Sequence, residues 1–146
     1  MIRFFGGRVM TLANGIETQD IEVWTEGSKI VFVGKPKAEE LDGKVFEREY
    51  DLKGNLLMPS FKNAHTHSAM TFLRSYADDM PLQDWLFKQI FPMEAKLDGE
   101  KVYWLTKLAI LEYLTTGCTA AFDMYFELDD YVKACIESGC LLYTSD

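Results

Sequence analysis

Long hydrophobic runs are missing from this 146-residue sequence, and no apolar stretch approaches the ~18–20 residues that a membrane-spanning helix needs. Positive charge is scarce as well. Lys and Arg number 15 against 23 Asp and Glu, a net charge of −8. That balance argues against a nucleic-acid partner, because a protein that tracks phosphates carries a basic patch. Cysteine is limited to Cys118, Cys135 and Cys140, too widely spaced for a disulfide framework. The opening Met1-Ile2-Arg3-Phe4 lacks the shape of a signal peptide. Repeats and low-complexity segments are absent too. What remains is the expectation of a folded, cytoplasmic chain with no membrane and no nucleic acid among its partners. Its 48% hydrophobic content is enough for a globular core.

Turn signals divide the chain into two textures. Up to residue 54 it reads as short strands: Arg8–Leu12 before the hairpin dipeptide Asn14-Gly15, then Ile21–Thr25, a turn at Glu26-Gly27, and Lys29–Val33. Val45–Leu52 alternates apolar and charged residues, as a half-buried strand does. From Gly54 onward the order becomes β-α-α-β-α. Asn55–Pro59 is a nearly continuous apolar run, the pattern of a strand buried on both faces. A helix is expected from Pro81 to Leu97, interrupted by Pro92. A second covers Glu100–Thr116, with Val102, Leu105, Leu108, Ala109 and Leu111 on its buried side and Gly117 as its stop. Thr119–Tyr125 reads as another buried strand and Leu128–Ser138 as a last helix. Alternation of this kind predicts a parallel α/β fold.

The sequence has two histidines, His65 and His67. Residues i and i+2 of an extended segment point to one face, so both imidazoles can take positions on one divalent metal. They follow a buried strand, at the end where α/β barrels build their sites. The alternative is a pair of ordinary histidines at a strand end. A cytidine-deaminase type of zinc site is excluded, since it needs His-x-Glu and Cys-x-x-Cys and neither occurs.

Leu57–His67, with its Pro59-Ser60-Phe61-Lys62-Asn63-Ala64-His65-Thr66-His67, resembles the first barrel strand of the amidohydrolase superfamily, usually Pro-Gly-Phe-x-Asn-x-His-x-His. Ser60 stands where that pattern has Gly, and Lys62 is an unusual residue there. Met70–Leu86, containing Ala77-Asp78-Asp79-Met80-Pro81-Leu82 and Trp85-Leu86, is similar to the 5-methylthioadenosine/S-adenosylhomocysteine deaminase branch. Pro92–Leu97 and Phe122–Phe126 match two further landmarks of that branch. Guanine and cytosine deaminases and triazine chlorohydrolases share much of the same texture.

The resemblance implies the beginning of a (β/α)8 barrel of the metal-dependent hydrolases, preceded by a small β-rich, urease-like composite domain. It implies an enzyme that removes ammonia from an adenosine-type nucleoside, its small-molecule partner. It makes His65 and His67 ligands of one divalent ion, zinc first, with iron and manganese also compatible. Glu94 falls at a substrate contact, where a carboxylate can bind the ribose diol through both oxygens. The other reading of Glu94 is a solvated helix-end residue paired with Lys96. Trp85 is a candidate pocket wall, or else core. Asp78 and Asp79 read as helix caps, Cys118 and Cys135 as buried thiols, and Met58, Met70, Met93 and Met124 as packing.

The remaining family residues, a third His, an Asp and a Glu, have no counterpart here, because no third histidine exists. The fold also takes ~250 residues, so a truncated barrel with about two of its eight strands is expected. By itself such a fragment is expected to be inactive. Cys140–Asp146 spells one reading frame of a transposase-type sequencing adapter and is expected to be a non-native tail. The expected divisions are thus 1–54, 55–139 and 140–146.

Overall fold

The computed structural model describes residues 1–13 and 15–144. Two compact units emerge, Met1–Pro59 and Ser60–Asp146.

The first unit holds two small sheets. One has the strand order β5-β4-β1-β6, built from β1 (Ile2–Phe5), β4 (Glu22–Glu26), β5 (Lys29–Gly34) and β6 (Arg48–Asp51). The other has the order β3-β2-β7, from β2 (Arg8–Thr11), β3 (Glu17–Gln19) and β7 (Leu56–Leu57). A single helical turn, α1 (Ala38–Leu41), follows β5. Val23 and Trp24 are both buried, so β4 is covered on both faces. Trp24 stacks on Phe32 with ring centroids 4.1 Å apart and donates its indole N–H to Glu22 at 2.8 Å. Gly27, at φ 56°, supplies the left-handed residue that the tight β4–β5 turn requires. β2 and β3 pair antiparallel, and Asn14 of the expected hairpin dipeptide lies outside the described residues.

Two expectations fail in this unit. Val45–Leu52 is not a half-buried strand: Val45 is 81% exposed, and only Arg48–Asp51 pairs, at the edge of its sheet. Alternation there reflects an edge strand with solvent on its flanks. Nor is Asn55–Pro59 a strand buried on both faces. Its paired part is two residues long, beside β2, and Leu56 is 44% exposed.

The second unit is a parallel sheet of β8 (Phe61–Thr66), β9 (Cys118–Asp123) and β10 (Leu141–Thr144), in the order β10-β9-β8. Helix α4 (Gly99–Thr115) connects β8 to β9, and α5 (Leu128–Ser138) connects β9 to β10. Asp98 caps α4 by accepting the Lys101 amide at 3.0 Å, and Gly139 ends α5 at φ 69°. Val102 and Ile110 of α4 share a core with Tyr131, Ala134 and Cys135 of α5, so both helices cover one face of the sheet. Strands added in sequence order, with every crossover on the same face, are how a (β/α) barrel starts.

Between β8 and α4 the chain is helical over most of its length. A 3-10 turn runs over Ser68–Leu73, and α2 (Leu82–Trp85), a π-helical turn (Leu86–Ile90) and α3 (Phe91–Glu94) form one continuous stretch. Pro92 therefore does not interrupt the helix. It has no N–H for the Lys88 carbonyl, and the turn before it widens instead, with the Phe91 N–H reaching the Leu86 carbonyl. The buried side of α4 also differs from expectation: Val102, Thr106, Ala109 and Ile110 are inside, whereas Leu108 and Leu111 are exposed. A helix that is apolar almost all round gives no periodicity from which to choose a face.

Leu141–Thr144, within the expected tail, pairs in parallel with Ala120–Asp123. Ser145 and Asp146 lie outside the described residues.

Candidate metal centre and adjoining cleft

Strand β8, not the apolar run before it, delivers the histidines. His65 is its penultimate residue and His67 follows its end, immediately before the 3-10 turn. The two rings lie edge to face with centroids 5.1 Å apart, as the i, i+2 spacing requires. His67 Nδ1 is 2.9 Å from the Met124 carbonyl oxygen. A carbonyl only accepts, so Nδ1 carries the proton, and in the neutral ring Nε2 keeps its lone pair. That arrangement fits a metal: imidazole nitrogen is a zinc-type donor, and a backbone carbonyl on the opposite nitrogen is how ligating histidines are oriented. Two donors are half of a tetrahedral set. Among the described residues no group of three or more His, Cys, Asp or Glu side chains could hold a metal ion.

Beside His67 opens a cleft of about 490 Å³, and Trp85 and Glu94 line it together with Phe91, Tyr125 and Phe126. Three of the four residues singled out in the sequence thus meet at one cavity, while His65 stands next to His67 outside its lining. The volume suits a small organic ligand. Glu94 is 9% exposed and does not pair with Lys96, whose ammonium lies 3.4 Å from the Met93 sulfur. Its Oε1 accepts the Tyr125 hydroxyl at 2.9 Å. Burial, and then that carboxylate, push the Tyr125 phenol well above the usual tyrosine range, so it remains a donor. The π-helical turn sits between Trp85 and Glu94 and contributes Leu86 and Ile90 to the cavity lining.

A model of the amidohydrolase family matches residues 56–142. The chain belongs to this family. A 5-methylthioadenosine/S-adenosylhomocysteine deaminase of Desulfitobacterium hafniense is 43% identical over 118 residues, covering 81% of this chain and 27% of that protein. A 5'-deoxyadenosine deaminase of Methanospirillum hungatei is 56% identical over 89 residues, covering 61% of this chain and 20% of the relative. The crystal structure of an adenosine deaminase from Xanthomonas campestris with bound zinc superposes with a TM-score of 0.88 at 32% identity, over 97% of this chain and 32% of that one. The matched parts therefore span roughly a fifth to a third of the length of these proteins.

Several residues of this amidohydrolase site have no role assigned from the sequence, although Asp123, Met124 and Tyr125 fall within the Phe122–Phe126 landmark. Met124, read as packing, has an exposed side chain, and its carbonyl is what meets His67. Met58 is exposed as well, and Met70 lines the cleft. Asp123, at the end of β9 and 1% exposed, accepts through Oδ2 from the Ser68 amide at 3.0 Å, the Ser68 hydroxyl and the Tyr131 hydroxyl at 2.7 Å. Burial and this carboxylate raise Tyr131 far above the ordinary phenol range. Tyr113 of α4 joins Thr66 Oγ1 at 2.6 Å and Ser68 Oγ at 2.9 Å. The signals available for Asp123 and Tyr125 were the Phe122–Phe126 landmark and position, since both stand at the carboxyl end of a strand in a parallel sheet. Cys118 and Cys135 are buried free thiols, and burial pushes Cys135 up to about 11.

Proposed function

We propose that this chain is part of a metal-dependent aminohydrolase that releases ammonia from an adenosine-type nucleoside of the 5-methylthioadenosine or S-adenosylhomocysteine class. In this reading the second unit opens a (β/α)8 barrel, and the first is part of a urease-like composite domain. The observation that carries it is the His67 ring, tied through Nδ1 to Met124 and lining the same cleft as Glu94. His65 and His67 would hold one divalent ion, zinc first. Such an ion supplies activated water for hydrolysis at neutral pH. Glu94 binds the ribose hydroxyls, with Tyr125 orienting its carboxylate by holding one oxygen. Trp85 and Phe126 present aromatic surface to the base and exclude water. The names of the relatives support the substrate class, and the zinc-bound Xanthomonas enzyme supports the metal.

Zinc titration of the chain by calorimetry tests the metal pair. Binding is expected in the wild type and lost in His65→Ala and in His67→Ala; binding that survives both substitutions overturns the assignment. The protein at its natural length is expected to release ammonia from 5-methylthioadenosine or S-adenosylhomocysteine. Absence of ammonia with every purine nucleoside tried overturns the activity.

A further inference from the structure

The end of β9 meets the turn that carries His67 in two places. The Asp123 carboxylate takes the amide and hydroxyl of Ser68, and the next carbonyl, that of Met124, takes His67 Nδ1. Thr66, on the other side of His67, lies opposite Asp123 in the β8–β9 pairing. Hydrogen counting orders the network. Ser68 has one hydroxyl proton, and it goes to Asp123, so the Tyr113 hydroxyl must donate to Ser68 and receive from Thr66. The direction of the whole chain, Thr66 to Tyr113 to Ser68 to Asp123, is thus set by the one group in it that can only accept. Both neighbours of His67 are held, Thr66 by the half-buried Tyr113 of α4 and Ser68 by the buried Asp123 of β9. A carboxyl group is costly to bury, and a turn could be held by groups that are cheaper to bury, so an aspartate at this position calls for a reason beyond folding.

We propose that Asp123 is a positioning residue for the histidine pair. It fixes the turn that presents His67, and with the Met124 carbonyl it enforces the Nδ1–H tautomer that leaves Nε2 to a metal. Asp123 acts through Ser68 and touches neither metal nor substrate. This inference rests on the metal reading of His65 and His67, but part of its test needs no metal.

With two histidines in the sequence, a long-range proton–nitrogen spectrum shows four ring nitrogens, and His65 serves as internal control. The spectrum is recorded without metal, at a pH well above the ordinary imidazole range. In the wild type His67 is expected as the Nδ1–H tautomer. Asp123→Asn, which keeps the shape and removes the charge, and Ser68→Ala, which removes one link, are expected to shift His67 toward the Nε2–H form that free imidazole favours. Both are also expected to weaken zinc binding by about ten- to a hundredfold. A lower denaturation midpoint with unchanged His67 tautomer and unchanged zinc affinity overturns the proposal and leaves Asp123 a structural residue. Should Asp123→Asn not fold, Ser68→Ala decides alone, and wild-type behaviour in it overturns the proposal equally. A wild-type chain that binds no zinc defeats the metal reading, while the tautomer measurement still decides the positioning.

Discussion

Glu94 illustrates how one neighbour changes what a carboxylate can do. As a solvated helix-end residue it would be interchangeable with any surface glutamate. Buried beside the cleft, it exchanges part of its hydration for the Tyr125 hydroxyl. Tyr125→Phe leaves Glu94 Oε1 without its donor and is expected to cost about 1–3 kcal/mol, the usual penalty for an unsatisfied buried acceptor. Urea denaturation of the two proteins measures it, and equal midpoints would refute the contact. The phenols carry a pH signature as well. Tyr113, Tyr125 and Tyr131 are raised, each by burial first. A raised acid contributes stability that is complete below its unfolded value, about 10, and is lost as the pH climbs toward the folded one. Stability is therefore expected to fall steadily above pH ~10, with these three tyrosines ionising only as the fold opens. Spectrophotometric titration alongside circular dichroism checks both. Phenolate absorbance from all tyrosines at the ordinary value, in a folded chain, would contradict it.

Among the elements, β1, β4 and β6 are joined across their faces by Arg3. Its guanidinium reaches Glu22 at 2.6 and 2.7 Å and Glu49 at 2.9 Å, and it lies over the Phe5 ring. The Arg3 side-chain hydrogen bond holds Glu22 below the usual carboxylate range against the opposing effect of burial. A lowered acid contributes stability that is present above its unfolded value, ~4.3, and is lost as the pH falls through the folded one. Glu22→Gln is expected to lower stability at neutral pH by about 1–3 kcal/mol and to flatten the acid limb of the stability curve. Thermal melts of both proteins between neutral and acid pH test this, and parallel acid limbs would refute it.

The glycine stops after α4 and α5, Gly117 and Gly139, act locally, and the expected helices fall within a residue or so of the observed ones. The histidine pair was legible because i, i+2 spacing is a property of extended backbone. The buried side of α4 was not, since its outward residues Trp104, Leu108 and Leu111 are as apolar as its inward ones. The strand bearing His65 was placed one segment too early, because Lys62 and Asn63 hid an edge strand whose exposed positions tolerate polar residues. The Phe122–Phe126 landmark contains Asp123 but says nothing of its hydrogen-bond network, which joins β8, β9, α4 and α5 and forms only through the parallel pairing.

For the molecule as a whole, the second unit presents a problem that closed barrels solve by having no edges. Among the described residues its sheet ends at β8 on one side and β10 on the other. Phe61, Phe122, Leu141 and Tyr143 leave large apolar surface exposed along these strands. Unpaired strand edges next to apolar side chains are templates for pairing with another copy. Opposing this is the net charge of −8, which repels like chains over long distances. The two forces differ in their response to salt. Repulsion between surface charges is screened beyond ~8 Å at physiological ionic strength, whereas apolar burial is not. Self-association of the 146-residue chain is therefore expected to increase with ionic strength. Phe61→Lys combined with Leu141→Lys, which places charge on both edges, is expected to suppress it. Light scattering coupled to size exclusion at low and high salt reads both effects. A wild-type chain that stays monomeric at high salt would mean that the edges are covered, and a charged variant that associates as readily as the wild type would place the contact elsewhere, away from β8 and β10.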